Sequence, residues 1–127
     1  MGTIKILVVV EDDADMRMLI RASLNVDPRL EVVGEAVNAD EAIALCSTTE
    51  PGLIILDHML ESGKTGMEAA PELKRAAPSA CILLFSALDL KVQAATEPSI
   101  DFFLKKTDIQ ELLPTIQRLL GLDPAPN

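Results

Sequence analysis

Four apolar runs of this chain each stop at residues able to do chemistry. "ILVVV" (6–10) runs into Glu11, Asp12 and Asp13, "LIIL" (53–56) into Asp57, "CILLF" (81–85) into Ser86, and "FFL" (102–104) into Lys105 and Lys106. Like charges side by side repel, so three acids at the end of a buried strand call for a compensating cation. Oxygen-rich clusters of this kind take hard divalent ions, and Mg2+ is the usual occupant where phosphate also binds. A lysine on the same rim neutralises a further charge or holds a phosphoryl oxygen, and a serine hydroxyl hydrogen-bonds another. Asp57 is then poised as a nucleophile toward phosphorus, because carboxylates form acyl phosphates. Phosphoryl transfer asks mainly for positioning and charge neutralisation.

The elements that must position these groups follow from the apolar pattern. Short continuous runs, expected of strands buried on both faces, are predicted at 4–10, 31–36, 51–57, 80–86 and 100–105. Helical spacing is predicted between them at 13–26, 38–49, 67–77, 88–96 and 107–121. In the first helix Met16, Leu19, Ile20, Ser23 and Leu24 share the inward face, and Met18 belongs to the outer one. Asp13 and Asn38 are expected as N-caps. Thr107 and Gln110 have capping-box spacing, and Gly121 stands where a C-terminal cap belongs. Pro71 is tolerable if its helix begins near Met67, whereas Pro114 is expected to kink the last helix. Five alternations of strand and helix predict an α/β fold with a parallel sheet, helices on both faces and right-handed crossovers. Ligands of such sheets bind beyond the carboxyl ends of the strands, the rim on which the polar residues fall.

Composition narrows the function classes. The 127 residues are 49% hydrophobic and carry a formal charge of −9. A chain this acidic lacks the basic face that nucleic-acid phosphates require. No apolar run approaches the length of a membrane span, and the N-terminus lacks a signal-peptide pattern. Cys46 and Cys81 have no metal-type spacing and are read as reduced core residues, which suits a cytoplasmic protein. Residues 1–122 are read as one domain and 123–127 as a flexible tail.

In order along the chain, "ILVVVEDDADMR", "LIILDHMLESGKTG", "LLFSA" and "FFLKK" resemble the receiver domain of bacterial two-component response regulators. The resemblance covers Ile4 to Leu120 and implies a flavodoxin-like (βα)5 fold with strand order 2-1-3-4-5. It implies that Asp57 accepts the phosphoryl group, with Asp12 a direct ligand of Mg2+ (or Mn2+) and Glu11 acting through water. Met59 would offer its backbone carbonyl to the metal, Ser86 and Lys106 would hold phosphoryl oxygens, and Phe103 would turn inward on activation. The phosphodonor would be a sensor histidine kinase or a histidine phosphotransfer protein. Phosphorylation would switch an output surface on the fourth helix, fifth strand and fifth helix, which could also form a homodimer. The stretch between Ser86 and Lys106 is shorter than the family pattern, which leaves the shape of the fourth helix open. Met59 and Leu88, each two residues beyond a phosphoryl-facing group, are apolar and would set the lifetime of the phosphorylated state. The outer face of the first helix, with Ala14, Asp15, Met18 and Ala22, is the candidate kinase-docking patch.

The bland readings stand beside these. Asp13 and Lys105 can be a cap and a solvated charge, Phe103 ordinary core, and His58 a packing or solvent residue. The main alternative function is a Mg-dependent phosphatase with an Asp nucleophile. Such enzymes often carry a second Asp two residues on, where this chain has Met59. A degenerate receiver would lack the lysine or an acid, and a flavin-binding fold would have a Ser/Thr-rich loop after the first strand instead of acids.

Overall fold

A computed structural model describes residues 2–9, 13–61 and 63–124. Among these, five strands form one parallel sheet in the order β2-β1-β3-β4-β5: β1 (Ile4–Val9), β2 (Leu30–Ala36), β3 (Leu53–Asp57), β4 (Cys81–Ser86) and β5 (Phe102–Lys105). Helices α1 (Ala14–Asn25), α2 (Ala39–Thr49), α3 (Gly66–Ala76), α4 (Lys91–Ala95) and α5 (Leu112–Leu119) alternate with them. This is the doubly wound, flavodoxin-like order expected from the sequence.

The continuous apolar runs are explained by burial on both faces. Ile6, Val8, Leu53, Ile55, Leu83 and Phe85 pack with Ile20 and Leu24 of α1 and Leu112 and Ile116 of α5. Their neighbours Leu7, Val9, Ile54, Leu56, Ile82 and Leu84 pack with α2 and α3 on the other face. Each such side chain contributes about 1.5–3 kcal/mol through burial. The sheet is therefore a rigid platform for whatever stands on its carboxyl edge.

Local signals behave as expected at three helix ends. Asp13 Oδ1 accepts the Met16 N–H at 3.1 Å, and Asn38 Oδ1 accepts the Glu41 N–H at 2.9 Å. Gly121 adopts φ +69 beyond α5, and the Leu122 N–H reaches the Gln117 carbonyl at 2.8 Å, closing the helix as a left-handed cap does.

Other expectations are corrected. Leu19 is half exposed, because Met16, Ile20 and Leu24 recur every fourth residue and fill the strip of α1 that the sheet covers. The capping-box pattern at Thr107 and Gln110 is unused. Lys106–Glu111 instead forms 3-10 turns broken by a kink at Asp108 (φ −102, ψ 35), with no side-chain cap, and α5 starts at Leu112. Pro114 then falls in the first turn of α5, where its missing N–H costs no bond, so it sets the start of the helix instead of kinking its middle. The box that does form is Thr65–Glu68, at the start of α3. Because α3 begins at Gly66, Pro71 lies beyond the first turn and leaves the Met67 carbonyl without its helical donor. Strand β5 starts at Phe102 and not at Ile100, since the Asp101 carboxylate takes the Ile82 N–H at 2.8 Å that a ladder carbonyl would otherwise take.

Glu50 closes α2 in the left-handed conformation, φ 48, its N–H bonded to the Cys46 carbonyl at 3.1 Å. A side chain is strained there, and glycine is not. Glu50→Gly is expected to raise stability by about 0.5–1 kcal/mol in urea unfolding, the relief of strain exceeding the added freedom of the unfolded chain. A loss of stability would show that the glutamate side chain makes a compensating contact.

The turn between α1 and β2 holds an ion-pair network that spacing did not suggest. Asp27, fully buried, accepts the Arg29 Nε and backbone N–H at 2.9 Å, its Nη2 at 2.8 Å, and the Gln117 Nε2 at 3.1 Å. Arg29 Nη2 also donates to the Asp123 carbonyl at 2.6 Å. The Asp27–Arg29 pair thereby ties the α1–β2 turn to α5 through the carboxylate and to the chain beyond it through the guanidinium.

Candidate functional site

Register brings the strand ends together. Val9 of β1 pairs with Leu56, Asp57 of β3 with Phe85, and Ser86 of β4 with Lys105. Every residue of β3 is buried, and Asp57 at its end is only 2% exposed. A buried carboxylate has to be paired or hydrogen-bonded. Lys106, the first residue past β5, places its Nζ 2.6 Å from Asp57 Oδ2. The Met59 N–H points to Asp57 Oδ1 at a looser 3.3 Å. Removing Lys106 would leave the carboxylate charge buried without its counter-ion, so the pair is a preset electrostatic unit on the rim. Lys105 is half-buried, with no ion pair recorded for it among the described residues.

The remaining sequence candidates distribute as follows. Ser86 is buried, and its Oγ accepts the Leu88 N–H at 3.1 Å, which leaves the hydroxyl hydrogen available to a ligand. Met59 and Leu88, whose backbone N–H groups point to Asp57 and Ser86, carry apolar side chains that are 55% and 51% exposed. Phe103 is half-buried against the core on the α2–α3 side and lines a cavity of about 230 Å³ with Lys91, Ala94 and Ile100. On α1, Ala14, Asp15, Met18 and Ala22 are all exposed, and Leu19 joins them. His58 is half-buried. Cys46 is buried and Cys81 partly so; both thiols are free, and burial raises the pKa of each.

One site residue had its main signal missed in the sequence. Gly66 opens α3 directly against the phosphoacceptor candidate, its N–H bonded to the His58 carbonyl at 2.7 Å. A Cβ built there would stand 2.2 Å from the Asp57 carbonyl oxygen and 2.9 Å from the His58 Cα. The Thr65–Glu68 capping pattern around this glycine was the available signal.

Glu11 and Asp12 lie outside the described residues. Among the described residues no group of three or more His, Cys, Asp or Glu is placed to hold a metal ion. The donor set at hand is compatible with a hard divalent ion: a buried carboxylate at the strand edge, with one oxygen only weakly engaged.

A buried aspartate held by a lysine at the carboxyl edge of a 2-1-3-4-5 parallel sheet occupies the position where doubly wound folds bind their ligands. The sequence profile of the response regulator receiver domain matches residues 7–117, and the chain belongs to that family. It is 36% identical over 99 residues to protein-glutamate methylesterase/protein-glutamine glutaminase 2 of Photobacterium profundum, covering 78% of this chain and 24% of that protein. It is 32% identical over 113 residues to the transcriptional regulatory protein PdtaR of Mycobacterium tuberculosis, covering 87% of this chain and 54% of PdtaR. The crystal structure of a LuxR-family two-component response regulator from Aurantimonas superposes with a TM-score of 0.83 at 29% identity, covering 94% of this chain and 86% of that one. The chain thus spans about a quarter of the first curated relative and about half of the second. No described helix is long and apolar enough to cross a membrane.

Proposed function

We propose that this receiver domain is a phosphorylation switch in which Asp57 accepts a phosphoryl group from the phosphohistidine of a sensor kinase or phosphotransfer protein. The observation that carries the reading is the Lys106–Asp57 contact at 2.6 Å on the ligand edge of the sheet. An Asp57 oxygen attacks phosphorus in line, a C–O–P bond forms, the P–N bond to the donor imidazole breaks, and that imidazole recovers a proton from solvent. Lys106 then neutralises a phosphoryl oxygen and the Ser86 hydroxyl donates to another. Asp12, Asp57 and the Met59 carbonyl, with Glu11 through water, would hold Mg2+, or Mn2+ in its place. The metal when bound supplies charge neutralisation at the transferred group. The domain is read as a phosphoacceptor switch and not an enzyme; Met59 stands where a phosphatase of the Asp-nucleophile class often has its second aspartate.

The output face would be α4, β5 and α5, with Phe103 following Ser86 and Lys106 inward, and this face would also serve a homodimer. The α1 patch of Ala14, Asp15, Met18 and Ala22 would meet the kinase. All of this is cytoplasmic chemistry. The test is intact mass after incubation with acetyl phosphate and Mg2+. One phosphoryl group is expected, mapped by peptide analysis to Asp57, absent from Asp57→Asn and greatly reduced in Asp12→Ala. Labelling of Asp57→Asn at the normal level would overturn the assignment.

A second expectation concerns lifetime. Hydrolysis of the acyl phosphate needs water held in line with phosphorus, and positioning is most of what a side chain can add. Met59 and Leu88 are exposed at the rim and cannot orient water. The phosphorylated state should therefore decay slowly, and Met59→Asn with Leu88→Glu should speed the loss of phosphate by roughly tenfold. An unchanged or slower decay in the double variant would show that apolar shielding does not set the lifetime.

A further inference from the structure

Helix α3 is fastened at both ends to parts of the molecule that the phosphoacceptor reading connects. At its start Gly66 leaves no room for even a methyl group against the Asp57 carbonyl. Thr65 and Glu68 lock that end with reciprocal bonds, Glu68 taking the Thr65 N–H at 2.9 Å and Thr65 Oγ taking the Glu68 N–H at 3.2 Å. Along its length Ala69, Ala70 and Leu73 are fully buried in the core against which Phe103 also packs. At its far end Lys74 Nζ donates to the Ala80 carbonyl and to Asp101 Oδ2, both at 2.8 Å. Asp101 is in turn stitched to β4, its N–H on the Ile82 carbonyl at 2.9 Å and its carboxylate on the Ile82 N–H at 2.8 Å. Phe102 and Phe103 follow immediately.

We infer that α3 is a strut that carries movement of the Asp57 peptide to Asp101 and the start of β5, with Lys74 as its positioning residue at the far end. The inference rests on Asp57 being the phosphoacceptor. A tetrahedral phosphoryl group does not fit inside a 2.6 Å contact, so Asp57 or Lys106 has to give way when it is added. Movement of the Asp57 backbone toward α3 has no free space to enter, and close-packed interiors pass on displacement instead of absorbing it. Pro71 costs the helix one internal bond, but Ala69, Ala70 and Leu73 are fully buried on either side of it and both ends are bonded, so the helix moves as a body. This path reaches Phe103 through the start of β5, on the face of the sheet that α3 covers, and does not use the five-residue α4.

The test uses the whole chain with acetyl phosphate and Mg2+, read by intact mass and by amide hydrogen exchange. In the unmodified protein, phosphorylation should change exchange both at Leu88 and at Ile82, Phe102 and Phe103. Lys74→Met keeps the aliphatic stem and removes the bridge. It should label to the same extent and keep the response at Leu88, while the response at Phe102 and Phe103 falls roughly threefold or more, within the range reported for positions along a coupling network. Asp101→Asn, which keeps an acceptor for the Ile82 N–H but drops the charge facing Lys74, should behave alike, and Lys74→Arg should restore the response. A full response at Phe102 and Phe103 in labelled Lys74→Met overturns the strut. Failure of the unmodified protein to take any label overturns the phosphoacceptor reading, and the strut with it.

Discussion

Gly66→Ala should destabilise the domain by about 3 kcal/mol or more and lower its melting temperature by roughly 10 °C. In an ordinary helix the same change would add up to about 1 kcal/mol of stability, because alanine has the better propensity. Here the new methyl group would stand 2.2 Å from the Asp57 carbonyl oxygen and 2.9 Å from both the Asp57 carbonyl carbon and the His58 Cα. All three are backbone atoms, so no side chain can rotate out of the way. Either α3 backs off the sheet, breaking the 2.7 Å bond from the Gly66 N–H to the His58 carbonyl, or the Asp57 peptide shifts and carries its carboxylate away from Lys106. Both outcomes should slow acetyl-phosphate labelling steeply even in the folded fraction, since small misplacements of a reacting group cost large factors in rate. Urea unfolding together with labelling kinetics checks this. Unchanged stability with unchanged labelling would mean that the contact relaxes at no cost.

Asp27→Asn should cost about 3 kcal/mol, because it removes the charge that a buried network is built around. Its second signature is in acid. Hydrogen bonds from the Arg29 side chain hold the Asp27 carboxyl well below the usual carboxylate range, with its backbone N–H and Gln117 helping and burial opposing. Such a group binds its proton more readily when the chain is unfolded, so acid pulls toward unfolding. Its contribution is fully present above the ordinary carboxylate pKa of about 4 and is lost as pH falls below that toward the depressed folded value. The slope approaches about 1.4 kcal/mol per pH unit for one proton. The parent protein should therefore lose stability steeply between about pH 4 and pH 2, and Asp27→Asn should start lower and fall less over that interval. Parallel acid profiles for the two proteins would show that Asp27 is not the group responsible. Asp57 sits at the other edge of the sheet, so labelling at neutral pH should survive the change wherever the variant is folded.

The sequence alone determined whatever depends on near neighbours or on repetition. Strands buried on both faces must be apolar throughout, so β1, β3 and β4 were legible as runs, and five alternations with helices led to the parallel sheet. Caps at Asp13, Asn38 and Gly121 are bonds over three to five residues, and were legible for the same reason. Polar residues that end strands must gather on one rim, so the pattern alone puts Asp57, Ser86 and Lys106 together. Tertiary structure decided what depends on partners distant in the chain. "DPR" reads as a turn, but that its Asp27 carboxylate is buried and takes a further hydrogen bond from Gln117, 90 residues away, is decided by the packing of α5. Leu19 fits the apolar pattern of α1 but not the strip that the sheet covers. The start of β5 was set by the side chain of Asp101 reaching Ile82, and the tight seat of Gly66 by how closely α3 lies on the end of β3. Periodicity reports which face of an element is apolar. How near another backbone comes to that face is fixed only when the elements pack.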